Sequence, residues 1–121
     1  MDNHTVLVVD DMPAILTLVT RYLEDAGFRV IAAENGPKGL AAYTRHSSVI
    51  KLLLTDVEMP DMTGAEMADR ILLENPDLPV LFMSGNTPFA DRGWGCVPKP
   101  FRGGELLARV RIALENRSAL K

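Results

Sequence analysis

TVLVVDD, residues 5–11, is a run of β-branched and apolar residues closed by two acids. It is too short for an ordinary helix, and its composition suits a buried strand. Comparable runs return at residues 28–33, 49–55 and 79–84, and a shorter one at 95–99. Between them the period changes from strand-like to helical. Pro13 stands where a first helical turn tolerates proline, and Ile15, Leu18, Val19, Tyr22, Leu23 and Ala26 recur at helical spacing until Gly27 supplies a stop. Residues 37–45 and 64–74 read as two more helices. Asn75-Pro76 closes the latter, because the residue before a proline is pushed out of the helical region. Leu106, Leu107, Val110, Ala113 and Leu114 stripe a last helix over residues 102–116, leaving Arg109, Arg111 and Glu115 for solvent. Strands and helices thus alternate from end to end, and the strands read as apolar on both faces. That pattern predicts an α/β domain, a parallel sheet with helices on both sides.

Composition narrows the class. With 121 residues, one compact domain over 1–121 accounts for the chain, and 47% hydrophobic against 24% charged residues excludes disorder. A formal charge of -3 without a basic run speaks against a nucleic-acid groove or an anionic membrane as partner. Cys96 has no second cysteine to pair with, and the N-terminus carries neither a basic region nor a long apolar segment. Both features predict a cytoplasmic location. His4 and His46 lie in polar contexts without a second ligand at a metal spacing and read as surface residues. The methionines read as core filling, apart from Met59 and Met62.

In a doubly wound sheet, ligands bind outside the carboxyl ends of the strands. There the first strand ends in Asp10-Asp11, the third in Asp56, the fourth in Ser84-Gly85 and the fifth in Lys99-Pro100. Three converging carboxylates raise one another's pKa unless a cation neutralises them. Magnesium, which joins carboxylates to phosphates through an oxygen shell, is the natural candidate, with manganese as its substitute. Lys99 would offer a point charge and Ser84 a hydroxyl to the same phosphate. A carboxylate beside a divalent ion can act as a nucleophile on phosphorus, and Asp56, the central acid, is best placed for it.

With these residues in view, the chain resembles the response-regulator receiver family of two-component systems, whose best-known small member is the chemotaxis response regulator. The likeness runs from about Thr5 to Asn116. It rests on DD at 10–11, on LLLTDVEMPDMTG at 52–64, on Ser84 and on KPF at 99–101. The resemblance implies a flavodoxin-like, five-stranded parallel sheet in the order 2-1-3-4-5, and phosphoryl transfer from a histidine kinase or histidine phosphotransfer protein onto Asp56. It implies Asp11 as a direct magnesium ligand, Asp10 as a ligand largely through water, and the Glu58 backbone carbonyl as a further ligand. By the same resemblance Lys99 and Ser84 contact the phosphoryl group, Glu58 and Asn86 tune its hydrolysis, and a cis peptide precedes Pro100. An output protein or a further domain would read the result, and the chain itself would be a regulator rather than an enzyme.

Two features depart from the family pattern. Only NTPFADRGWGCVP separates Ser84 from Lys99, and its prolines and glycines disfavour a helix, so the fourth helix is expected to be shortened or absent. Cys96 stands where relatives often place an aromatic switch residue. Three other readings compete: an aspartyl-phosphate hydrolase, a flavodoxin-like cofactor binder, and a receiver-like interaction module that switches without phosphate. The first needs a second acid after the nucleophile, which Glu58 fits only loosely, and a substrate cap. The second needs a neutral phosphate loop where this chain has DDMPA.

Overall fold

The computed structural model describes residues 4–85 and 95–119. In chain order the elements are β1 (Thr5–Val9), α1 (Pro13–Asp25), β2 (Arg29–Ala33), α2 (Gly36–His46), β3 (Ile50–Asp56), α3 (Gly64–Glu74), β4 (Val80–Ser84), β5 (Gly95–Pro98) and α4 (Gly103–Ala119). All strand pairs are parallel, in the order β2-β1-β3-β4-β5. This is the flavodoxin-like doubly wound arrangement that the sequence predicts. Four helices are present among the described residues; the segment expected to hold a shortened fourth helix, with Asn86 and Trp94, lies outside them.

Alternate residues of each inner strand feed two separate cores. Leu7, Val9, Leu53 and Phe82 pack under α2 and α3 with Tyr43, Met67 and Ile71. Val6, Val8, Leu52, Leu54, Leu81 and Met83 pack under α1 and α4 with Val19, Leu23, Leu106 and Val110. Strands buried on both faces in this way read as continuous apolar runs, which is why the inner strands are legible in the sequence. The edge strand β2 departs from that expectation. Arg29 and Ala32 are exposed and only Ala33 is fully buried, because α1 and α2 cover an edge strand incompletely.

Local signals explain the boundaries. Pro13 opens α1, and Gly27 closes it in the left-handed region at φ 97°. There the Gly27 N–H donates to Glu24 and the Phe28 N–H to Leu23, both at 3.0 Å, satisfying carbonyls that the helix end leaves over. α3 starts on a reciprocal capping box between Thr63 and Glu66. Three expectations need correction. His46 completes α2 and is half-buried, Met59 belongs to the first core, and Met12 is 53% exposed ahead of α1 instead of filling the core.

Leu54 is fully buried while Leu73 on α3 is 85% exposed, so the two leucines bracket the value of burial. Leu54→Ala is expected to cost about 3 kcal/mol in urea unfolding, and Leu73→Ala under about 0.5 kcal/mol. Equal losses would contradict the two-core packing.

Candidate functional site

The carboxyl ends of β1, β3, β4 and β5 bring together residues distant in sequence. Asp10 leaves β1 fully buried, its N–H donating to the Ala33 carbonyl at 3.2 Å. Its Oδ1 accepts from the Met12 N–H at 2.9 Å and its Oδ2 from Lys99 Nζ at 3.1 Å. Asp56 is the last residue of β3 and also buried; its Oδ1 accepts from the same Nζ at 3.1 Å. Lys99 follows β5, where its own N–H donates to the Ser84 carbonyl at 2.8 Å and a cis peptide joins it to Pro100. Ser84 is buried at the end of β4, and Asp11 is half-buried.

Oxygens of Asp10, Asp11 and Asp56 lie within 4.8 Å of one another. Ligands of one octahedral magnesium shell at ~2.1 Å stand roughly 3 to 4 Å apart, so a small closure accommodates that ion. The donor set, hard oxygen throughout, fits magnesium or manganese. Both Asp10 oxygens already accept from protein donors, whereas Asp11 is more open.

The electrostatics are those of excess negative charge. Three carboxylates face one ammonium, a net of two negative charges when all are ionised. Burial pushes the Asp56 carboxyl above its ordinary value; Lys99 pulls it back, and Asp10 and Asp11 push it up again. For Lys99, burial works against the charged form, but hydrogen bonds and charge from Asp10 and then Asp56 outweigh it and raise its pKa.

The loop after Asp56 is pinned at both ends. The Val57 N–H donates to Met83 at 3.1 Å, and its carbonyl accepts from the Gly64 N–H at 2.8 Å. A Cβ at Gly64 would stand 2.1 Å from the Asp56 carbonyl oxygen, so no other residue fits there without moving the backbone of Asp56. The Thr55 hydroxyl donates to that carbonyl at 2.9 Å. Sequence reading took Thr55 only as a strand end; the signal available was a hydroxyl residue inside a buried apolar run. Glu58 is exposed in this loop. Cys96 lies opposite Phe82 on β5, half-buried against the first core, and its carbonyl accepts from Arg109 Nη1 at 2.8 Å. Asn86 falls outside the described residues.

Residues 6–111 match the family described as response regulator receiver domain. TcrX of Mycobacterium tuberculosis, a probable transcriptional regulatory protein, is 35% identical over 119 residues, 93% of this chain and 50% of that protein. The sensor kinase CckA of Brucella abortus is 31% identical over 122 residues, 94% of this chain and 13% of its own length. This chain therefore spans half or less of these curated relatives. Among solved structures, the chemotaxis protein CheY4 of Vibrio cholerae aligns with a TM-score of 0.86 at 29% identity, covering 93% of this chain and 99% of that one.

A raised acid stabilises the fold below its unfolded pKa, and that contribution is lost as pH rises through its folded pKa. In metal-free buffer, Asp56→Asn is therefore expected to gain stability over the parent as pH rises from below 3.8, the ordinary Asp value, to neutral. The readout is the urea midpoint across pH, and an unchanged difference would contradict the strained carboxylate cluster. Gly64→Ala is expected to cost about 2 kcal/mol or more in the same assay.

Proposed function

The chain belongs to the response regulator receiver family of two-component signalling, and from that premise we propose that Asp56 is its phosphoacceptor. The observation that carries the reading is Lys99 Nζ at 3.1 Å from both Asp56 and Asp10, which ties the end of β5 to the ends of β1 and β3. Asp11 directly, Asp10 largely through water and the Glu58 carbonyl would hold the divalent cation. When bound, magnesium neutralises charge on the transferring phosphoryl oxygens.

In the forward step an Asp56 carboxylate oxygen attacks phosphorus in line. The new P–O bond forms as the P–N bond to the donor imidazole breaks, and the electron pair leaves with the imidazole nitrogen, which takes up a proton. The Lys99 ammonium then exchanges its hold on Asp56 for a phosphoryl oxygen, a move its flexible stem permits. The Ser84 hydroxyl donates to a second oxygen. Water later attacks the same phosphorus and regenerates the Asp56 carboxylate, with the Glu58 and Asn86 side chains setting access.

The donor is a histidine kinase or histidine phosphotransfer protein, and the recipient of the signal an output protein or domain. We read residues 1–121 as one receiver unit, regulatory rather than enzymatic toward a separate substrate and acting in the cytoplasm. No helix among the described residues is long and apolar enough to cross a membrane. Cys96 replaces an aromatic switch residue with a small one, so less side-chain volume is available to move on phosphorylation, and the switch is attenuated.

Intact-mass analysis after incubation with acetyl phosphate and magnesium tests the reading. The parent is expected to gain one phosphoryl group, Asp56→Asn none, and chelation of magnesium to abolish uptake. Lys99→Gln should slow uptake about a hundredfold, the usual cost of losing one preorganised electrostatic contact. A parent that binds magnesium yet takes up no phosphoryl group would instead make the chain a receiver-like interaction module.

A further inference from the structure

At the end of the sheet opposite the carboxylate site, His4, Thr5, Arg29, Ser48, Val49 and Lys51 line a cleft of about 280 Å³. Its charge is one-sided: an arginine, a lysine and a histidine, with no carboxylate among the described lining residues. The chain as a whole carries a formal charge of -3.

Lys51 is placed there by a fault in the sheet. Thr5 pairs with Ile50, but Val6 pairs with Leu52, so Lys51 is the extra residue of a β-bulge. In a regular strand Ile50 and Leu52 would share a face. Here Ile50 enters the first core and Leu52 the second, and Lys51 is left exposed beside Thr5. Bulges re-aim side chains in this way beside functional sites. Arg29 approaches from the other side of β1, opposite Thr5, and its N–H donates to the His4 carbonyl at 3.0 Å, fixing His4 beside it. The Nδ1 of His4 is buried with no hydrogen-bond partner among the described residues, so the residue read from sequence as a plain surface histidine forms part of the cleft wall.

From this geometry we propose that the cleft is a second anion site, binding phosphate either free or as the phosphoryl end of a small metabolite. Arg29 offers a planar fork and Lys51 a point charge, the two cation types that recognise phosphate, and the hydroxyls of Thr5 and Ser48 add neutral donors. The volume falls just below the usual range for drug-sized ligands, which suits a small anion. Both cations are exposed and screened, so binding is weak, in the millimolar range. The site is independent of Asp56, because five strand residues of β1 put roughly 16 Å between them.

The test is an amide chemical-shift titration of the full chain without magnesium, using inorganic phosphate and glycerol 3-phosphate against sodium chloride at matched ionic strength. Saturable shifts at His4, Arg29, Ser48 and Lys51 are expected with both phosphates. Tighter binding of the ester assigns the site to a metabolite, and tighter binding of phosphate assigns it to the free ion. Lys51→Gln should weaken binding about tenfold, the worth of one charge-assisted contact. The same variant should take up phosphoryl groups from acetyl phosphate at the parental rate. Shifts matched by chloride, or centred on Lys99 and unchanged in Lys51→Gln, would overturn the proposal.

Discussion

One ammonium group organises the carboxyl edge of the sheet. Lys99 reaches back from β5 to bridge Asp10 and Asp56, so one buried contact ties together three strand ends that the chain visits far apart. Without it, two buried carboxylates would face each other with no cation between them. Breaking a buried pair in that way typically costs about 3 to 5 kcal/mol, far more than an exposed pair is worth. The bridge does not neutralise the cluster, since Asp11 adds a third acid. Residual negative charge is what a divalent cation would neutralise there.

The backbone around this contact is held by main-chain bonds and one close approach. The N–H of Lys99 rests on Ser84 and that of Val57 on Met83, so β4 acts as a rail for the segments on either side. Gly64 lets the start of α3 press against the Asp56 carbonyl, and the Thr63–Glu66 capping box fixes the direction in which α3 leaves. Asp56 is thereby aimed by packing on its backbone, leaving its carboxylate to answer to Lys99. A carboxylate positioned through its backbone, with Lys99 as its donor, keeps its other lone pairs open to a ligand.

Much of this is legible in the sequence because burial on two faces leaves a strong mark. The inner strands appear as unbroken apolar runs, and Asp10, Asp56 and Ser84 interrupt or end them where a buried polar group needs a reason. The weaker readings share a cause. β2 lies at the sheet edge, where burial is partial and the run is mixed with Arg29 and Ala32. Met12 looks like core by composition, yet it precedes α1 and faces solvent. The bulge at Lys51 left no local trace, because a lysine near the start of an apolar run reads equally well as an ordinary exposed strand residue. The pairing register against β1 and the split of Ile50 and Leu52 between the two cores reveal the extra residue. Thr55 likewise acquires meaning only from its contact with the Asp56 carbonyl.

The acids carry a cost that the strand ladder itself does not require. The bonds that end β1, β3 and β4 at the site run mostly between main-chain groups, and Asn at positions 10, 11 or 56 would leave that ladder intact. Apart from the bridge to Lys99, the Asp10 bond to the Met12 N–H supports local structure, at the entry to α1 where Met12 offers no cap of its own. Asp56 has no such excuse: its carboxyl is buried, its pKa is raised by burial ahead of every other influence, and neighbouring acids raise it further. A neutral residue at position 56 would therefore make the metal-free domain easier to fold, with Asp10 left to hold the ion pair with Lys99. The buried charge is thus gathered at this edge, and the apolar burial lies in the two layers behind it.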